Sequence, residues 1–248
     1  MRRAAYSVQG VHRTLHADPA RCTLLLMPLI VLEGPEGAGK TTQVERLARG
    51  LAASGKPVIA LREPGATPLG EVLRSAVLHA DLEITPAAES LVFMAARAQL
   101  VAYEIKPALE AGKVVILDRF FLSTYAYQVA GRGLDEGRVV DANMLATTAS
   151  TSVGISKQLI PDLTLLLSLP AEEGLSRAKQ RSAHDRIERA DAGFHQRVAR
   201  GFAEFATAAW QKKHPEAGPI VVIDASGSVN DVEQRVFAAV RAKMPKLT

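Results

Sequence analysis

"LIVLEGPEGAGKTT", residues 29–42, runs from an apolar stretch into a glycine-rich loop and then into a helical pattern. Leu29 to Leu32 read as a buried parallel strand, because a strand covered on both faces is apolar at successive rather than alternate positions. The spacing of Gly34, Gly39, Lys40 and Thr41 fits a phosphate-cradling loop, in which small residues let backbone N–H groups turn onto phosphate oxygens. The loop expected to hold a nucleoside triphosphate is therefore Gly34, Pro35, Glu36, Gly37, Ala38, Gly39, Lys40, Thr41 and Thr42. Lys40 is placed to reach the β- and γ-phosphates, and the Thr41 hydroxyl to ligate Mg²⁺. Beyond it, Val44, Leu47, Ala48 and Leu51 recur at helical spacing until Gly55. Strand, tight turn and helix N-terminus together make a site for anionic phosphate.

Four more apolar runs follow: "PVIAL" at 57–61, "VVILD" at 114–118, "LTLLLSL" at 163–169 and "IVVIDA" at 220–225. With the first they predict an α/β fold, a parallel sheet of about five strands with helices on both faces. Ligands in such sheets bind beyond the carboxyl ends of the strands. Glu33, Arg62-Glu63, Asp118-Arg119 and Asp224-Ala225-Ser226 occupy those ends.

At 248 residues and 48% hydrophobic content the chain can bury one large core. A formal charge of +4 gives no case for a dedicated nucleic-acid binder. Cys22 is the only cysteine, so no internal disulfide forms and a reducing cytoplasm suits the chain. No apolar run approaches a membrane span; "TLLLMPLIVL" is short and carries Pro28. Residues 1–26, arginine-rich and poor in acids, read either as a transit peptide or as sequence upstream of a start at Met27. The second reading is favoured, and the segment is expected to be dispensable to a single domain spanning 27–248.

The strand ends carry the chemistry. In "DRFFLSTYAYQ", 118–128, Asp118 closes a strand beside the phosphate loop, where it can orient a metal ion. Thr41, Asp118 and Glu63 are the expected Mg²⁺ set. Arg119 offers a planar fork suited to a phosphate. "REPGATPLGEVLR", 62–74, adds Arg62 and Arg74 around a Pro-Gly turn. Phe93 and Arg97 stand one helical turn apart in "FMAARAQL", so a ring to stack a base and a guanidinium to read its edge share a face. Arginines converging on the strand tips imply a second anion beside the triphosphate.

"GPEGAGKTTQ", "REPGATPLGEVLR", "FMAARAQL", "DRFFLSTYAYQ", "GRGL", "PDLTLLLSL" and "DRIE" occur in an order and spacing that resemble the thymidylate kinases over about residues 28–243. The resemblance implies a P-loop kinase fold, usually a homodimer, that moves the ATP γ-phosphoryl group to dTMP. It also implies roles. Glu36 would lie near the acceptor's 3′-hydroxyl, and Phe93 would stack on thymine. Arg97 and Gln128 would read the polar edge with help from Thr124, and Tyr127 would crowd the 2′ position. Arg119, with Arg62 or Arg74, would hold the acceptor phosphate. Two positions depart from the family: Ala66 stands where a second glycine is usual, and Ser168 near where an acid is usual.

A phosphate acceptor is largely dianionic at neutral pH, so it needs its charge neutralised and its oxygen aligned rather than a base. Lys40, Mg²⁺ and at least one arginine must supply the positive charge. The phosphate loop holds no arginine. "RAKQRSAHDRIERAD", 177–191, supplies three: Arg177 and Arg181 on one helix face, then Arg186 after a break around 182–185. The stretch reads as a lid that closes over the triphosphate, and it resembles the bacterial branch of the family that carries its basic residues there. Alternatively Glu173 pairs with Arg177 on a solvated helix. A P-loop switch protein would need an Asn-Lys-x-Asp motif, which is absent. A deoxynucleoside kinase would need a carboxylate base in a Glu-x-Trp setting, but Trp210 follows Ala208 and Ala209.

Overall fold

The computed structural model describes residues 27–79, 81–149, 157–179 and 185–247. The amino-terminal extension, Cys22 and Arg181 lie outside these ranges. Strand β1 (Leu29–Glu33) leads through the phosphate loop into α1 (Lys40–Ala53), then β2 (Val58–Arg62), α2 (Pro68–Leu78) and α3 (Pro86–Leu100). A wide π-helical turn, Val101–Ile105, joins α3 to α4 (Lys106–Glu110), and β3 (Val114–Asp118) follows. Next, α5 (Phe121–Thr124) opens into a second π-helical stretch, Tyr125–Gly131, before α6 (Glu136–Thr147). A ribbon of two-residue strands, β4 (Thr148–Ala149) and β5 (Lys157–Gln158), precedes β6 (Leu163–Ser168) and α7 (Ala171–Lys179). The chain ends with α8 (Ala192–Phe205), α9 (Ala208–Lys213), β7 (Ile220–Asp224) and α10 (Val229–Lys243).

The five long strands form one parallel sheet in the order β2-β3-β1-β6-β7. The three interior strands are the most continuously apolar, and every residue of β1 and β3 is buried. Because side chains alternate across a strand, each run feeds two cores. Leu29, Val31, Val115 and Leu117 pack on one face with Leu100, Phe121, Phe194 and Phe202. Ile30, Leu32, Ile116 and Leu165 pack on the other with Leu47 and Leu51 of α1 and Val236 and Val240 of α10. Helix starts follow local chemistry: Thr67 and Thr85 accept N–H bonds from Gly70 and Ala88, each with proline at the first helical position.

β1 lies between β3 and β6, where the chain's path across the sheet reverses. A crevice opens there beyond the strand ends. Loops after β1, β2 and β3 enter it. The turn after β2 holds Ala66 at φ 60, a left-handed conformation that costs an alanine about 1 kcal/mol relative to glycine. The departure noted at Ala66 is therefore a strained backbone position, held by Glu71, which accepts from the Ala66 N–H at 2.8 Å.

Candidate active site

The phosphate loop follows β1 with Gly34, Gly37 and Gly39 all at positive φ. Two of them are also sterically obligatory. A Cβ on Gly34 would lie 2.4 Å from the Leu167 carbonyl oxygen, and one on Gly37 would lie 2.0 Å from that of Gly174. Helix α1 starts after Gly39 with no side-chain cap and no acid in its first turn, so its positive end is left to an anionic ligand. Lys40 is buried, and its Nζ donates to the carbonyl oxygens of Gly34 (2.9 Å) and Pro35 (2.8 Å). Burial, reinforced by Arg119, lowers its pKa to about 8. The Thr41 hydroxyl donates to Asp118 Oδ2 at 2.6 Å, while Asp118 Oδ1 is buried with no hydrogen-bond partner among the described residues.

A cleft of about 540 Å³ runs from this loop to Phe93 and Gln128. Glu36, Lys40, Thr41 and Asp118 line one end; Phe93, Arg97, Thr124 and Gln128 line the other, and Arg62, Glu63, Arg74, Arg119 and Tyr127 also face it. The residues expected from sequence on the acceptor side thus share one cavity. Arg119 is held at φ 72, a costly conformation for a side-chain-bearing residue. Its Nη2 pairs with Glu36 Oε1 at 2.5 Å, its Nη1 donates to Ser123 Oγ at 3.0 Å, and its guanidinium sits 5.2 Å from the Tyr127 ring centre. The Tyr127 hydroxyl donates to the same Glu36 oxygen at 2.8 Å. Glu33 fixes the Arg119 turn from below: fully buried, it accepts from the Phe120 N–H (2.7 Å), the Ser123 N–H (3.1 Å) and the Ser123 hydroxyl (2.7 Å).

Arg97 is buried and fully engaged. Its Nε and Nη2 both donate to Glu63 Oε2, its Nη1 to Thr124 and Asn143, and Nη2 also to the Phe120 carbonyl. All five donors of the guanidinium are matched within the protein. Burial pushes the Glu63 carboxyl up, against the pull of Arg97. Glu63 Oε1 has no partner among the described residues. Arg62 pairs with Glu71 in the open, and Arg74 donates to the Pro64 carbonyl at 3.0 Å.

The arginines expected in a lid divide. Arg177 pairs with Glu173 one helical turn away and also donates to the Ala225 carbonyl. Arg186 does not line the cleft; its Nε donates to the Val77 carbonyl at 2.9 Å, its backbone N–H to Leu78, and its Nη2 pairs with Glu89. It anchors this part of the 177–191 stretch, expected to be a lid, to the end of α2 and the start of α3. Arg181 lies outside the described residues. Trp210 is buried against His214, stacked at 4.0 Å, remote from the cleft lining.

Sequence reasoning missed Ser123, Asn143, Glu89 and Arg132, the last two joined by a bidentate ion pair at 3.0 Å. Apart from the Arg119–Ser123 bond, which spans four residues, their partners lie 39 or more residues away along the chain, so little local spacing marks them. Glu33 carried a usable signal, since an ionisable residue that closes a buried strand must find buried donors.

Residues 32–236 match the family model described as thymidylate kinase. The thymidylate kinase of Deinococcus radiodurans is 44% identical over 211 residues, covering 85% of this chain and 95% of that one. That of a Synechococcus strain is 44% identical over 219 residues, covering 88% and 97%. The crystal structure of a thymidylate kinase from Ehrlichia chaffeensis superposes with a TM-score of 0.65 at 29% identity, covering 86% of this chain and 98% of that one.

Proposed function

The chain belongs to the thymidylate kinase family, and on that premise we propose which of its residues carry the transfer. The reaction is that of the family: ATP and dTMP give ADP and dTDP. The observation that carries the residue roles is Glu36, held between Arg119 and Tyr127 where the phosphate loop meets the nucleoside end of the cleft. ATP lies along the phosphate loop and the α1 N-terminus. Its γ-phosphate takes Lys40 Nζ in place of the two loop carbonyls. The acceptor phosphate sits against Arg119, with Arg74 and Arg62 at the open side. Thymine lies on Phe93 and presents its edge to Gln128 and Thr124. Arg97, engaged by Glu63 and Asn143, shapes that wall and reads the base only by releasing an internal acceptor.

The Thr41 hydroxyl and Asp118 Oδ1, which has no hydrogen-bond partner among the described residues, would hold a Mg²⁺ ion, whose oxygen preference they suit. Held there, such an ion would supply positive charge to offset that of the phosphates. Glu63, named with that pair from sequence, has one oxygen committed to Arg97. No helix among the described residues is long and apolar enough to cross a membrane. A homodimer is supported by large apolar side chains exposed on neighbouring α2, α3, its π-helical extension and α6: Val72 (65%), Leu91 (62%), Tyr103 (68%) and Leu145 (81%). Sedimentation should then give twice the chain mass, and a mass near 26.5 kDa at micromolar concentration would contradict it.

The roles are tested at Tyr127. Its ring stands beside Glu36 and under Arg119, where it would meet a 2′-hydroxyl. Tyr127→Ala should raise kcat/KM for ribothymidylate relative to dTMP by about tenfold, a loss of roughly 1.4 kcal/mol of discrimination. Tyr127→Phe should leave the ratio within about threefold, because it keeps the ring and removes only the bond to Glu36. A ratio unmoved in the alanine variant would mean that Tyr127 does not face the sugar.

A further inference from the structure

Gln128 lines the cleft, yet its side chain is almost wholly buried and only one end of its amide has a partner among the described residues. Its Nε2 donates to Glu89 Oε1 at 3.3 Å, and no described residue donates to its Oε1. Glu89, 1% exposed in the first turn of α3, is surrounded by donors. Its Oε1 takes Gln128 and Arg132 Nε; its Oε2 takes Arg132 Nη2 and Arg186 Nη2. Burial alone would raise the Glu89 carboxyl, but hydrogen bonds from Arg132 and Arg186 outweigh it and hold the group below the usual carboxylate range.

An ionised carboxylate accepts hydrogen bonds and donates none. The Gln128 amide, symmetric in shape, therefore meets Glu89 with its nitrogen, and its oxygen is the end left for the cleft. We propose that Glu89 sets which way round Gln128 stands, and so makes the cleft select a pyrimidine whose ring N3 carries a hydrogen over one whose N3 carries a lone pair. Thymine and uracil present N–H to that oxygen. Cytosine presents a lone pair, oxygen faces nitrogen with no proton between them, and both buried acceptors go unmatched. Arg97 does not supply a competing donor, since its five N–H groups are already matched. Glu89 is a positioning residue, acting through Gln128. The inference rests on Gln128 as the reader of the base edge.

The test compares dTMP with 5-methyl-dCMP, which keeps the methyl group and the sugar and differs only in the N3 and C4 edge. The parent enzyme should prefer dTMP by at least 10³-fold in kcat/KM. Glu89→Gln lets the partner offer either an N–H or a carbonyl, so the preference should shrink at least tenfold with the ATP KM within twofold. Glu89→Asp, which still only accepts, should keep it. Should the charge change prevent folding, Glu89→Gln combined with Arg132→Gln restores the balance and carries the same expectation. A preference that survives in the glutamine variant while dTMP KM rises would overturn the proposal, leaving Glu89 a structural anchor. Gln128→Ala separates the underlying reading: a tenfold or larger rise in dTMP KM supports it. An unchanged KM would remove Gln128 from the base edge and the proposal with it.

Discussion

Replacing Lys40 with methionine is expected to lower kcat by about 10³-fold while leaving the protein at least as stable as its parent. Both effects have one cause. The ammonium is buried at the base of the phosphate loop, where among the described residues its hydrogen bonds go to the carbonyls of Gly34 and Pro35. Its pKa of about 8, against an ordinary 10.5, measures the cost of keeping that charge poised, roughly 3 kcal/mol at neutral pH. The unfolded chain holds this proton more tightly than the folded one. Wild-type stability should therefore rise with pH between about 8 and 10.5, and the rise should be missing from the variant. Methionine fills similar volume without a charge to desolvate, so the fold loses little while the transferring group loses its cation. ADP-release rates together with melting curves at pH 7 and pH 9 check both halves. A variant within tenfold of the parent kcat would remove Lys40 from the chemistry.

The second large effect separates ground-state grip from transition-state charge. Arg119 is already clamped by Glu36 and Ser123 in the absence of ligands. Arg119→Ala should raise dTMP KM by about 10²-fold or more, since it removes the cation proposed for the acceptor phosphate and breaks the Arg119–Glu36 pair. ATP KM should scarcely move. A lid arginine that meets the γ-phosphoryl group only as charge develops should show the opposite split: kcat down by about 10³-fold, both KM values nearly intact. We expect that signature from Arg181→Ala. Arg186→Ala should instead loosen its own part of the 177–191 stretch, lowering the melting temperature and disturbing dTMP binding, because its guanidinium is bound to Glu89 and Val77. Arg177→Ala breaks an ion pair with Glu173 that is about one-third exposed, and should cost little. If every lid variant kept kcat within about threefold, the cation would have to come from Arg62, Arg74 or a partner subunit.

The sheet was legible because buried parallel strands are apolar at every position, and the five apolar runs are the five strands of the sheet. The run at 57–61 begins one residue early: β2 starts at Val58, since Pro57 has no N–H to give a ladder. The phosphate loop was legible because its glycines are fixed by backbone sterics, visible as spacing. The π-helical stretch Tyr125–Gly131 was not, although it aims Tyr127 and Gln128 into the cleft. A five-residue hydrogen-bond step leaves no periodic mark in so short a segment. Arg186 was grouped with Arg177 and Arg181 because charges adjacent in sequence look alike until their partners are known. Its partners sit on α2 and α3, about a hundred residues earlier in the chain. Separation in sequence also hid Asn143, 46 residues from Arg97, and Glu89, 43 residues from Arg132. What sequence shows poorly is which buried charge faces which, because that depends on tertiary pairs rather than on spacing.

At the centre of the proposed reaction stands an acceptor that brings its own nucleophilic oxygen, a phosphate dianion, to a cleft lined by Lys40, Arg62, Arg74 and Arg119, so that no base is needed to deprotonate it. The most direct measurement is acceptor-stimulated ADP release with dTMP, dUMP, thymidine, UMP, CMP, AMP and GMP compared at equal concentration, with product identified. dTMP should be fastest and should yield dTDP in one-to-one ratio with ADP, while thymidine should give no more than the rate without acceptor. Turnover of thymidine faster than that of dTMP, or ADP release that no acceptor stimulates, would contradict it.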